Sequence, residues 1–446
     1  MSAICEDVSV ALVGIGGYGN IYLASLLDAQ RAAKNTTLGL RLVAVADPRP
    51  GGCNYLSELQ RRHIPLYGSL AELQAKHAPE LVILCSPPHI HSEQTVAALA
   101  HGSHVLCEKP LCTTPPQALA MIEARDRAHK QVSIGYQWSF SEGIQALKHD
   151  VLSGLFGKPR RFRTLVLWPR NEVYYRRNNW AGRRYSASGR PLFDSPLNNA
   201  CAHHLHNMMY VLGDRIDRSA LPSTVEAELY RANEIETFDS CAVRVMTDTG
   251  VEVLFFVSHA TEAAYGPVFS FEFEEATITF LGDQATTPAC DSGTICARFR
   301  DGRVKQYGSP ERAPDRKLWA AIDSVGSGKP TVCGIEASMA QTMVMAAVHQ
   351  SATNPVNFPE PLVRKLGEVG RGRKWVQGLD NVLTASYEQG RLPHEMAVPW
   401  AVAGEQVRVA GPNVSHNEPN PIEVSVRIAP PTFKPAFAAI RPEAVG

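Results

Sequence analysis

No charge of either sign prevails in this sequence: 44 lysines and arginines meet 44 aspartates and glutamates, for a formal net charge of zero. No overall basic field exists to gather nucleic acid or an anionic membrane surface. Long apolar runs are also missing; none approaches the roughly 18 to 20 residues that span a bilayer. The opening MSAICEDVSV carries an acidic pair and lacks the basic and apolar regions of a secretion signal, so a soluble, cytoplasmic protein is expected. The ten cysteines form no C-x-x-C pair and no dense framework, a pattern that suits a reducing compartment. Internal repeats and low-complexity tracts are absent as well.

What is present is material for sizeable cores. Hydrophobic residues make up 44% of 446 positions, enough for two or three domains. From residue 8 to about 140, short apolar runs (VSVALVG, LRLVAVADP, ELVILCSP, SHVLCEKP, QVSIGY) alternate with amphipathic stretches starting near Tyr18, Tyr55, Glu93 and Pro116. That alternation predicts βαβ units around a buried, doubly wound parallel sheet. Residues 141–395 change rhythm. Strand-like runs follow one another (RRFRTLVLW, STVEAELYRA, SCAVRVMT, VEVLFFVSHA, FSFEFEEATITFL), with helices at SPLNNACAHHLHNMMYVLG, DRKLWAAIDSV and ASMAQTMVMAAVHQSA. This is an α+β pattern on a largely antiparallel sheet. Residues 396–446 shift to Pro, Val and Ala without helical period, an extension read either as extended and packed on the body or a partner subunit, or as disordered.

The stretch VALVGIGGYGNIYLASLL places G-x-G-x-x-G between a strand and a helix, the context in which that pattern binds a dinucleotide. Gly14 makes the tight turn, Gly16 admits the pyrophosphate to the backbone, and Gly19 lets helix and strand pack closely, with Tyr18 at the helix start. Asp47 ends the next strand, where a carboxylate holds ribose hydroxyls and repels a 2'-phosphate. It lies beyond the usual interval of about 20 residues, which a lengthened helix and loop explain. Asp47 favours NAD; Arg49, two residues on, is the group that would accommodate NADP.

Together with this turn, LVILCSPPHIHSEQTVAALAHGSHVLCEKPLCTT resembles the Gfo/Idh/MocA family of oxidoreductases, which includes inositol dehydrogenases and glucose-fructose oxidoreductase. The resemblance rests on Ser86, Pro87, Pro88 and His91, then Glu108, Lys109 and Pro110, and continues into SGLFGKPRRFR. It implies a Rossmann domain over residues 1–140, an open-sheet substrate domain, and open sheets packed face to face in a dimer or tetramer. It also implies that Lys109 lies beside the nicotinamide and the reacting carbon. Ser86, Pro87, His91 and Glu108 are expected around the cofactor. A lysine at a strand end can hold or deprotonate a hydroxyl if burial lowers its pKa.

The second constellation is FDSPLNNACAHHLHNMMYVLGD. Ser195 as cap, Pro196 in the first turn and Gly213 as stop predict a helix. Leu197, Cys201, Leu205, Met208 and Leu212 form an apolar stripe, with Asn199, His203, His206 and Tyr210 nearly opposite. The family's second signature is a helix with Asp-x-x-x-His-x-x-Asp, and His203 falls on its histidine. Asn199 and His206 stand where aspartates are usual. Asn cannot stabilise an imidazolium as a carboxylate does, so either another acid serves His203, with Asp194 the nearest, or Lys109 carries more of the proton transfer.

Between the two motifs, WPRNEVYYRRNNWAGRRYSASGR interleaves aromatics, Arg and Asn, a mixture suited to a polyhydroxylated ligand. Tyr175, Arg177, Trp180, Asp194 and His206 are therefore candidate substrate residues; the catalytic candidates are Lys109, His203 and Asn199. No metal is expected, since histidines at i and i+3 without a paired acid are a weak ligand set. The reaction expected is hydride transfer between a nicotinamide cofactor and a secondary alcohol of a sugar, cyclitol or derivative. Its alternatives are glycoside cleavage through transient oxidation and a non-catalytic cofactor sensor.

Overall fold

Strands β1 (Val8–Val13), β2 (Leu40–Ala46), β3 (Leu66–Tyr67), β4 (Leu81–Leu84), β5 (His104–Cys107) and β6 (Val132–Ile134) form an all-parallel sheet in the order β3-β2-β1-β4-β5-β6. The structure is a computed structural model, which describes residues 7–32, 39–282, 291–368 and 370–411. Helices α1 (Gly19–Ala32), α2 (Leu56–Arg61), α3 (Leu70–Gln74), α4 (His91–Ala100) and α5 (Pro115–Ala128) make the crossovers. Burial on both faces explains the near-continuous apolar strands: all four residues of β4 are buried. The strand order reverses between β1 and β4, the crevice where such sheets take ligands. Val13 pairs with Ala46 and with Leu84, and Leu84 pairs with Cys107. This register brings Gly14, Asp47, Cys85 and Glu108 out of the sheet at one level.

After α6 (Glu142–Leu152), a ten-stranded sheet forms from β7 (Pro159–Leu167), β8 (Pro222–Arg231), β9 (Ser240–Thr247), β10 (Glu252–Ser258), β11 (Tyr265–Phe273), β12 (Ala276–Phe280), β13 (Ile295–Phe299), β14 (Val304–Gly308), β15 (Val356–Asn357) and, paired with β8, β18 (Val407–Arg408). It is largely antiparallel, but β10 runs parallel to β7 and β15 parallel to β8. One face carries Phe162, Val166, Val253, Phe255 and Val257 and shares a core with α8 (Ala202–Val211) and α10 (Ile335–Ser351). The chain then returns to the first sheet: α9 (Arg316–Ser327) buries Leu318, Ala321 and Ile322 against β1 and α1. The parallel-sheet half is thus completed by a helix from late in the sequence.

The other face of the large sheet is not open. Leu165, Leu167, Leu254, Phe256 and Tyr230, alternating with the inward set as a pleat requires, are covered by Phe358, Val376, Leu379, Leu383 and Leu392. The cover comes from β16 (Val363–Leu366), β17 (Arg373–Val376) and α11 (Leu379–Gln389). Farther along, the same face is polar, with Arg163 paired to Glu272. Part of this sheet face is thus covered by residues later in the same chain.

Ser195 does act as a cap, its hydroxyl accepting from the Asn198 amide at 3.3 Å, but residues 196–201 are successive turns and α8 begins only at Ala202. The carbonyls of Leu197 and Asn199 are turned to side chains, accepting from Gln341 at 3.1 Å and Lys109 at 2.9 Å. At its other end, Lys148 Nζ donates to the Tyr210 carbonyl at 2.6 Å, a cation where the helix dipole favours one. Of the extension, residues up to 411 run over the large sheet as far as β18; the remainder lies outside the described residues. Among the described residues seven cysteines are free thiols, and Cys296 is disulfide-bonded. Among the described residues no helix is long and apolar enough to cross a membrane.

Candidate active site

The glycine turn has the shape its sequence demands. Gly14 has φ +84°, and a Cβ there would meet Cys85 backbone at 2.8 Å. A Cβ on Gly19 would fall 2.0 Å from the Gly14 carbonyl oxygen, so both positions require glycine. Gly16 differs: the nearest heavy atom to a Cβ is 3.7 Å away, on Gly52. Space is left above Gly16, where a pyrophosphate would lie against the start of α1, and the cradle fits a dinucleotide on this ground. Asp47 Oδ2 accepts from the Ile15 amide at 2.9 Å and the Gly16 amide at 3.4 Å, joining the acid to the turn itself.

Two loops flank this turn and are clamped together. The buried His91 ring stands between the Ser86 and Pro110 carbonyl oxygens, 2.8 Å from each. It ties the Ser86–Pro87 turn, with Ser86 also bonded to Gln94, to the segment that carries Lys109. Glu108 turns away from the cleft. Its carboxylate, 6% exposed, is paired with Lys317 from α9, accepts from the Tyr22 hydroxyl at 2.7 Å and accepts from the Lys109 amide at 3.1 Å. Lys317 also donates to the Tyr18 hydroxyl at 3.0 Å. Glu108 and Tyr18, expected at the cofactor, are thereby members of a buried network around Lys317.

Lys109 Nζ donates to the Asn199 carbonyl at 2.9 Å. Asn199 Nδ2 in turn donates to Asp194 Oδ1 at 2.7 Å, while Asp194 Oδ2 accepts from the Gly182 amide at 2.7 Å and lies 3.5 Å from Arg177. Lys109, Asn199 and His203 keep partial exposure, whereas His204, Leu205 and His206 are buried. Burial is the largest influence on Lys109 and holds its ammonium below the usual lysine value, with Glu108 opposing and Lys317 adding to the effect. Burial also raises the Asp194 carboxyl, with Arg177 pulling it back. His203 lies well below the usual histidine value, through burial and then Lys109, and its Nδ1 has no hydrogen-bond partner among the described residues.

His206 is placed differently from expectation. It is 1% exposed, stacks on Tyr136 with ring centroids 3.8 Å apart, and bonds to the Ser139 hydroxyl at 2.8 Å. The helix presents no polar column to the cleft because the structural core takes up that face from Ser139 and Tyr136. In the aromatic and arginine segment, the Arg177 guanidinium lies over the Tyr174 ring at 3.9 Å and the Trp180 ring at 5.2 Å. Tyr175 has a buried hydroxyl without a hydrogen-bond partner among the described residues. Tyr175 and Gly182 also line a cavity of about 720 Å³ with Glu172, Asn178, Glu236 and Lys374. Neither Lys109 nor His203 lines that cavity.

Lys317 is the residue that motif reading passed over. It is one lysine in an amphipathic helix, and only the fold carries it to Glu108.

Comparison with known proteins agrees with this geometry. Residues 8–136 match the model of the oxidoreductase family with an NAD-binding Rossmann fold, Gfo/Idh/MocA. The D-glucoside 3-dehydrogenase of Escherichia coli (strain K12) is 28% identical over 243 residues, 53% of this chain; the match spans 61% of that enzyme's length. The inositol 2-dehydrogenase of Burkholderia cenocepacia (strain HI2424) is 26% identical over 363 residues, 79% of this chain and 97% of the relative. The solved levoglucosan dehydrogenase complex with NADH and levoglucosan shares the fold at a TM-score of 0.63 and 15% identity, covering 78% of this chain and 97% of that one. So does the WlbA dehydrogenase from Bordetella pertussis in complex with NADH and UDP-GlcNAcA, at a TM-score of 0.61, 18% identity and the same coverage. Residues 8–136 thus match the NAD-binding Rossmann domain of the Gfo/Idh/MocA oxidoreductases, and the chain is similar along most of its length to dehydrogenases.

Proposed function

We propose that the protein is an NAD-dependent dehydrogenase that oxidises a secondary alcohol of a sugar, cyclitol or related polyol, with residues 1–140 holding the cofactor and 141–395 the substrate. The observation that carries this reading is the bond from Lys109 Nζ to the Asn199 carbonyl at 2.9 Å, which fixes a lysine of lowered pKa just past the end of β5. The names of the relatives, dehydrogenases of glucoside and inositol, support the substrate class.

Gly14, Gly16, Gly19 and Asp47 would hold the dinucleotide, whose nicotinamide supplies the hydride acceptor when bound. The carboxylate of Asp47 beside the turn favours NAD over NADP. In this reading Lys109 Nζ takes the hydroxyl proton. His203 is the weaker base, because burial first, and then the charge of Lys109, disfavour an imidazolium. Its neutral ring orients the substrate hydroxyl, and Asn199 joins Lys109 to Asp194. Arg177, Trp180 and Tyr175 line the approach, where flat rings and planar donors suit C–H faces and hydroxyls.

The test is nicotinamide absorbance after NAD and a panel of sugars, cyclitols and glycosides are added to the purified protein. Accumulating reduced cofactor is the expected result. Cleavage of a glycoside with no accumulation would replace this reading with transient oxidation and elimination, and cofactor binding without turnover of any kind would replace it with a sensor.

A further inference from the structure

The cavity of about 720 Å³ has no part in the reaction proposed at Lys109, yet three distant segments combine to build it. They are α7 (Glu172–Arg176) with the turn that follows it to Arg183, the loop between β8 and β9 at residues 233–236, and Lys374 on β17. These walls are tied to one another through the backbone. The Glu236 and Thr237 amides donate to the Gly182 carbonyl at 2.9 and 3.1 Å. The Glu172 amide donates to the Gly372 carbonyl at 2.8 Å, and Glu172 Oε2 accepts from the Gly370 amide at 2.9 Å. Asn178 Oδ1 closes its own turn by accepting from the Trp180 and Ala181 amides at 3.0 and 2.7 Å. The cavity is therefore pre-formed, as ligand sites usually are.

Its lining selects a ligand class. Each cation there faces an acid of the same lining: Arg176 with Glu172 at 3.2 Å, Arg183 with Glu236 at 3.1 Å and Lys374 with Glu234 at 2.9 Å. No charge of either sign is left over among the lining residues, so a phosphate, a carboxylate or an amine would enter without a counter-ion. Apolar side chains are few, only Tyr175, Ala181 and Ile235, whereas pockets for apolar ligands are lined mainly by such groups. The remaining side chains are the amides of Asn178, Asn179 and Asn233, the last fixed by Asp239 Oδ2 at 2.8 Å. Amides both donate and accept, as hydroxyls do, and the Tyr175 ring offers a flat surface to C–H groups. Polar, uncharged and bearing many hydroxyls is the description of a neutral saccharide. The volume lies within the range of about 300–1,000 Å³ that takes a ligand of several rings.

We propose that this cavity is a second ligand site, which binds a neutral oligosaccharide through its asparagine amides and the Tyr175 ring, beside the reacting centre and apart from it. The Gly182 amide in the cavity wall donates to Asp194 Oδ2 at 2.7 Å, Asn199 Nδ2 donates to Asp194 Oδ1 at 2.7 Å, and Lys109 Nζ donates to the Asn199 carbonyl at 2.9 Å. Asp194 and Asn199 thus stand between the cavity wall and the lysine, so the site retains a saccharide next to Lys109 without exposing it to the lysine. The inference goes beyond the dehydrogenase reading and does not depend on it.

The experiment is calorimetric titration of the full chain, without cofactor, with maltotriose, cellotriose and raffinose, beside glucose, an acidic trimer of galacturonate and a basic trimer of glucosamine. The expected result is a neutral trisaccharide bound at least tenfold more tightly than glucose and than either charged trimer. Its Kd should change less than about twofold with added salt, because no net charge is exchanged on binding. Affinity should fall at least tenfold in Asn179→Leu, which removes an amide from an exposed position of the lining. Ile235→Lys adds an unpaired cation and should turn the preference toward the acidic trimer; Tm shows that each variant is folded. Binding of no neutral trisaccharide, a preference for a charged one, or affinity unchanged in both variants overturns the proposal. Binding that is lost in Lys109→Ala but kept in Asn179→Leu places the sugar at the lysine and overturns it equally. Absence of turnover with NAD, while this binding persists, sinks the dehydrogenase reading alone.

Discussion

Lys317 on α9 neutralises Glu108 across 209 residues of sequence, so the carboxylate next to Lys109 in the chain is not its partner in space. The pair, 2% and 8% exposed at the side chains, anchors the late helix to the cofactor half and fixes the strand end from which Lys109 projects.

Removing one member strands the other. Lys317→Met should destabilise the protein by about 3–5 kcal/mol, because Glu108 is left buried and uncompensated. The double variant Lys317→Met with Glu108→Leu should recover most of that loss. Urea denaturation of the two variants beside the wild type measures it, and an unaltered midpoint for Lys317→Met would show that the pair holds nothing together.

Loss of the proposed base should separate chemistry from binding. Lys109→Ala is expected to lower kcat by about 10²–10⁴-fold, the range for a general base. NADH affinity should stay within roughly threefold, since the lysine bonds to Asn199 and not to the glycine turn. Steady-state kinetics beside a fluorescence titration decides the point; wild-type turnover in Lys109→Ala removes this residue from the mechanism.

The pH profile carries a sign. A lysine acts as a base only when unprotonated, so kcat/KM for alcohol oxidation should rise with pH and level off above the lowered Lys109 pKa, below the usual lysine value. The Asp194 carboxylate favours the charged ammonium, so Asp194→Asn should move the midpoint to lower pH. An upward shift would contradict the proposed coupling.

The three glycines should fail differently. Gly19→Ala drives a Cβ into the Gly14 carbonyl and is expected to unfold the turn, seen as a lowered Tm. Gly16→Ala meets nothing nearer than 3.7 Å, so Tm should hold while NADH affinity falls by about tenfold, a cost of about 1.4 kcal/mol. Equal cofactor affinity in Gly16→Ala would mean that the pyrophosphate does not approach there.

The sequence by itself determined what is local and periodic. Alternating apolar runs specified the parallel sheet, and the spacing of Gly14, Gly16 and Gly19 specified the turn, because a positive φ and a 2.0 Å approach admit no side chain. The family motif led to Lys109, Asn199 and His203, and the fold joins the first two through the Asn199 carbonyl. It could not show which partners those groups would have. Glu108 was legible as a carboxylate but not as the partner of Lys317, and the helix predicted from Ser195 onward loses its first turns to bonds from Gln341 and Lys109 that no periodicity encodes. His206 lay on the correct helical face for the cleft, yet Tyr136 and Ser139, from a distant segment, enclose it. Part of the open sheet face was covered by residues 356–400. Only tertiary structure decided these, because burial, ion pairing and pKa depend on groups far apart along the chain, from 67 residues for Ser139 and His206 to 209 for Glu108 and Lys317.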